Sequence, residues 1–160
     1  MTIGSAAPPS VVVGVITRML REAFEGAPGP WAYFTDPSPG RGLLGTVGRL
    51  SAGEASTPGG PSGSTIAGHV HHISANLASA AAELRGENAT RDRTQSWTVT
   101  VVDEREWNAV RSRLRSNYEI LMREVQGRPS WDEDSLGVAF GAIAHTAYHL
   151  GAIRQRPLTG

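Results

Sequence analysis

Cysteine is absent from all 160 residues. That excludes a disulfide framework, a thiolate metal site and a nucleophilic thiol supplied by the chain, so any metal ligands must be imidazole or carboxylate. Lysine is absent too: the 15 basic residues are all arginine, and 15 acidic residues balance them. A formal net charge of zero gives no field to gather the chain on nucleic acid or an anionic membrane, and no basic stripe interleaved with aromatics is visible. No uninterrupted apolar run approaches the ~20 residues of a membrane span. The early stretch MTIGSAAPPSVVVGVITRML has no basic residue ahead of its apolar part and continues into a helical pattern with Arg18 and Arg21, unlike a signal peptide. A soluble, cytoplasmic protein is expected, with neither nucleic acid nor membrane as partner. Glu-x-x-His is missing as well, which argues against the carboxylate di-iron chemistry of other helical bundles.

What is present is helical periodicity. The length suits a single domain over residues 1–160. After Pro8, Pro9 and Ser10, apolar residues from Val12 to Phe24 recur three and four apart until Gly26, Pro28, Gly29 and Pro30 end the pattern. A stretch rich in Gly, Pro and Ser follows to about Gly63, with only GLLGTVGRLS able to form a short helical turn or two. Ile66, Val70, Ile73, Leu77 and Leu84 mark one face of a second helix, which Gly86 stops. The connection beyond it is extended in expectation at Trp97–Val102. Asp103 and Glu106 have the spacing of a capping box ahead of a third helix, whose seam is Trp107, Val110, Leu114, Tyr118, Leu121 and Val125. A fourth helix opens near Asp134 or Ser135 and runs to about Gln155, before Pro157. The reading is an all-α four-helix bundle with a long first loop. Gly40, Gly42 and Gly45 spell G-x-G-x-x-G, but no strand precedes them and no βαβ unit surrounds them, so a dinucleotide site is not expected.

All five histidines fall in two clusters, GHVHH at 68–72 and HTAYH at 145–149. On a helical wheel Val138, Ala142, His145, His149 and Ala152 share one side of the last helix, with Leu136, Phe140, Ile143, Ala147 and Leu150 nearly opposite. That helix then has two faces to bury. His69, His72 and Asn76 lie together on the flank of the second helix, while His71 points away, towards solvent. An i, i+4 pair on one helix plus one histidine from another surrounds a single ion with three nitrogens and leaves a position for water or substrate. The competing reading is a non-catalytic, stress-related helical module, in which the histidines hold a structural metal closed by a fourth ligand, or are core and surface residues only. Tyr148 and Trp97 are candidates for the mouth of a site, and Asn76 for a polar contact behind it.

STIAGHVHHISANL and HTAYHLGAIRQ resemble the second-helix and terminal histidine patterns of the DinB/YfiT-like superfamily of bacterial four-helix metalloproteins. Ser96-Trp97 and GLLGTVGRLS are similar to features of a subgroup, so the likeness extends over essentially the whole chain. The resemblance implies a DinB-like bundle with a longer crossover between its second and third helices, His72, His145 and His149 as metal ligands with His69 as fallback, a divalent zinc or nickel ion, and often a homodimer. It also implies a metal-dependent enzyme, either a transferase using an exogenous low-molecular-weight thiol or a hydrolase. A borrowed thiol's carboxylates would meet an arginine of the long loop or of the segment holding Arg154 and Arg156. No general base is assigned.

Overall fold

Four of the helices begin where a polar side chain meets one of their first free N–H groups. In the computed structural model, which describes residues 8–60, 62–89 and 95–156, six α-helices are present: α1 Pro9–Glu25, α2 Leu43–Gly48, α3 Ala52–Ser56, α4 Ile66–Leu84, α5 Glu104–Gly127 and α6 Glu133–Arg154. The leading residues 1–7, on which part of the signal-peptide reading rests, lie outside the described residues, as do 90–94 and the Pro157 stop. Thr65 caps α4 through its side chain, and Ser51, Asp103 and Asp132 close reciprocal capping boxes on α3, α5 and α6. Proline at the first position of α1 costs nothing there, since its missing N–H would have no intrahelical partner.

The four long helices surround one core. α4 packs against α5 and α6, and α1 packs against the same two helices from the other side. Ile16, Leu20, Phe24, Ile73, Leu77, Trp107, Leu114 and Leu121 are fully buried between them, each such apolar side chain contributing roughly 1.5–3 kcal/mol. Trp107 also donates its indole N–H to the Leu50 carbonyl at 2.8 Å, tying α5 to the turn between α2 and α3. The crossover from α4 to α5 is long, as expected.

Several details differ from the sequence reading. α2 falls within the GLLGTVGRLS stretch, but a second short helix, α3, lies beyond it. Of the segment read as extended, Trp97 closes a 3-10 turn at Gln95–Trp97, and no strand follows among the described residues. The buried residues of α6, Ser135, Ala139, Ala142, Ile143, Thr146, His149, Leu150 and Ile153, form one broad stripe that takes in the adjoining edges of the two sets rather than two opposed faces, and Phe140 is 42% exposed. Small residues shift the stripe, because alanine and serine let α6 approach its neighbours where larger side chains would hold it off. α6 is also long and apolar enough by composition to cross a membrane, the one such helix among the described residues, but 39% of its apolar window is buried inside the fold.

Candidate metal centre

α4 and α6 lie side by side, and this contact brings the two histidine clusters together. His72 Nε2 lies 2.9 Å from His145 Nε2, which in turn lies 3.1 Å from His149 Nε2. Three nitrogens bound tetrahedrally at zinc distances of 2.0–2.1 Å would stand about 3.3 Å apart, close to these two separations, and one ring nitrogen from each of the three histidines lies within 4.8 Å of the others. The ring planes of His72 and His145 cross at 61°, those of His145 and His149 at 79°, and those of His72 and His149 at 71°. Each pair meets edge to face rather than stacked. Among the described residues these three form a group able to hold a metal ion. The donor set, three imidazoles with no carboxylate or thiolate, suits a divalent first-row transition-metal ion.

His69 joins the cluster from outside. Its Nδ1 is 2.8 Å from His149 Nδ1, the nitrogen on the far side of that ring from the shared point. One ion on His149 Nε2 therefore cannot also reach His69, and His69 does not close the site. His71, expected in solvent, is half-buried, with Nδ1 3.0 Å from the Ser96 carbonyl oxygen. The 3-10 turn folds back over α4 and supplies that carbonyl, a partner that helical periodicity does not register.

The same turn provides the wall. Ser96 Oγ is 2.8 Å from His72 Nδ1, and the Trp97 indole stacks on the His72 ring at 4.4 Å and 20°. Gly68 lets this turn settle on α4: a Cβ there would stand 3.0 Å from the Val99 carbonyl. Tyr148 sets its ring edge-on to His149 at 5.1 Å and remains 72% exposed, at the mouth rather than in the core. Asn76 is half-buried a turn along α4, and Ser96, Trp97, His69 and Tyr148 contact the rings.

Burial, reinforced by the positive charge His145, His69 and His72 would carry, holds the His149 pKa down to about 3. His69 is lowered to about 4, by burial first and then by the Arg156 and His72 charges. Both rings are neutral at pH 7, the state in which imidazole offers a lone pair. Comparison of the chain with protein-family models, curated proteins and solved structures gives no match.

Sequence reasoning did not anticipate the partners of His69: Ser64 Oγ at 3.1 Å and an Arg156 guanidinium nitrogen at 2.9 Å, both from its Nε2. Neither residue lies on a helix with His69, so no periodic signal links them. Arg154, named with Arg156 as a candidate for substrate carboxylates, forms an ion pair with Asp36.

Proposed function

We propose that this protein is a DinB-like four-helix-bundle metalloenzyme with a mononuclear centre on His72, His145 and His149, acting as a thiol S-transferase or hydrolase. The observation that carries the reading is the convergence of His72, His145 and His149, each with a ring nitrogen within 4.8 Å of the other two. A divalent zinc or nickel ion there would keep its full charge and supply a Lewis acid that eases deprotonation of a water or of an exogenous low-molecular-weight thiol. The chain's own residues do the rest. Ser96 and His69 orient the outer two rings through their far nitrogens, and such partners fix ligand geometry. Trp97 shields one side of His72 from water, while the exposed Tyr148 leaves the other approach open to a substrate. No fourth protein ligand joins the three among the described residues, which supports catalysis over a purely structural ion.

A homodimer belongs to the same proposal. The outward side of α6 carries Gly137, Phe140, Gly141, Ala144 and Gly151, all exposed, and so offers a partner a close approach. Sedimentation velocity on the full chain checks it, and a monomer at all concentrations would remove this part.

Elemental analysis of untagged protein tests the centre itself. Near-stoichiometric metal is expected in wild type and His71→Ala, with loss in His72→Ala, His145→Ala and His149→Ala. Wild type that holds no metal and cannot be loaded with zinc or nickel would end the reading.

A further inference from the structure

The two nitrogens of His69 connect a ligand of the centre to the end of the described chain. On one side is His149 Nδ1, and on the other is Arg156. Arg156 is seated on the turn that precedes α4. It donates to the Ser64 carbonyl and, at 2.9 Å, to Ser64 Oγ. Gly59 leaves room for it, since a Cβ there would stand 3.1 Å from Arg156 Nη1.

A guanidinium has donors only. His69 Nε2 is therefore the acceptor from Arg156, and the single proton of the neutral ring sits on Nδ1. That N–H then donates to His149 Nδ1, and His149, accepting there, keeps its own proton on Nε2. This is the atom aimed at His145, and while protonated it has no lone pair for an ion. An ion on His149 Nε2 requires the reverse arrangement. His149 Nδ1–H donates to His69 Nδ1, and His69 carries its proton on Nε2, where Ser64 Oγ can accept it but the Arg156 N–H meets it donor to donor. The two rings hold two protons in either arrangement, so nothing is gained or lost and only the positions change. At His72 the equivalent change is easy, because the Ser96 hydroxyl can donate or accept. Arginine has no such freedom.

Resting on the assignment of His72, His145 and His149 as an ion-binding set, we propose that His69 is a positioning residue that sets the tautomer of His149, and that Arg156 is a latch. Bonded to His69, Arg156 holds His149 in the form that refuses an ion; ion uptake releases Arg156 from His69. The C-terminal end of α6 and the turn before α4 are thereby coupled to occupancy of the centre.

The test titrates zinc against a chromophoric chelator with full-length, untagged wild type, Arg156→Gln, His69→Gln and the double variant. Ring 15N shifts of the wild-type histidines are recorded with and without zinc. Glutamine at position 156 can accept from His69 Nε2–H, so R156Q is expected to bind zinc roughly ten-fold tighter. In the His69→Gln background the same substitution is expected to leave affinity unchanged. The His69 proton is expected on Nδ1 without zinc and on Nε2 with it, a signature that a merely structural role would not produce. Zinc affinity in R156Q equal to or weaker than wild type, or a His69 proton that stays on Nδ1 in the zinc form, overturns the latch while leaving the centre standing. Folded wild type and R156Q that both fail to bind zinc overturn the centre and the latch together.

Discussion

Glu22 is 2% exposed on α1, and its carboxylate collects the backbone N–H groups of Tyr33, Phe34 and Thr35 at 2.6–2.7 Å. Burial pushes its pKa up, but these three donors and the Thr35 hydroxyl outweigh it, and the net direction is down. Glu22→Gln turns one acceptor oxygen into a donor facing an N–H, and hydrogen bonds to charged groups are worth about 1.5–3 kcal/mol each. A loss of roughly 2 kcal/mol in urea denaturation at pH 7 is expected. Because the folded pKa lies below the unfolded one, this contribution is fully present above the ordinary glutamate range and fades as pH falls through the lower, folded value. The stability gap between wild type and E22Q should therefore close on acidification from pH 5 downward, and a gap that widens instead would contradict the assignment. At this scale the sequence was half-informative. His145 and His149 were legible because one helix fixes their spacing, whereas Glu22 gave no sign of its role, since its partners are backbone groups of a loop without pattern.

Elements were legible where caps and periodicity agree. Asp103 with Glu106 placed the start of α5, and Gly86, at φ 78°, follows the end of α4 where the pattern stopped. The misread pieces are short. α3 has five residues and the 3-10 turn three, too few to show a period, and both are held by partners elsewhere: Ala52 N–H by Glu104, and Ser96 of the turn by His71 and His72. The G-x-G-x-x-G spelling has a packing explanation. A Cβ on Gly42 would stand 2.4 Å from the Phe24 carbonyl carbon, and one on Gly45 would stand 2.4 Å from the Gly40 oxygen, so the start of α2 lies directly against the end of α1. Gly42→Ala is expected to destabilise by about 1–3 kcal/mol, because backbone rather than a flexible side chain must yield. Gly14, exposed in the middle of α1 with nothing near its absent Cβ, provides the contrast. Gly14→Ala should stabilise by about 0.5–1 kcal/mol through helix propensity alone. Thermal melts of the two variants should move in opposite directions, and a G42A melting point at or above wild type would show that the α1–α2 contact is looser than described.

For the whole molecule, an ion held by His72, His145 and His149 would be a cross-brace. α4 would contribute one ligand and α6 two, so an ion that binds only the folded chain would join helices that meet solely through tertiary packing. Linkage then sets the gain: at a free zinc concentration 100 times the Kd, folding is stabilised by about 2.7 kcal/mol, and for a chain of this size that raises Tm by roughly 5–10 °C. Zinc added to chelator-treated wild type should produce this shift, and His145→Ala and His149→Ala should abolish it. His71→Ala should keep it, since His71 faces the Ser96 carbonyl rather than the shared point. The controls separate a specific centre from casual binding to a histidine-bearing surface, which would also depend on His71 and would favour the unfolded chain, where every imidazole is free. A zinc-induced fall in Tm in wild type would mean that the unfolded chain binds the ion better, and the three converging nitrogens would then be no more than neighbours in a helical core.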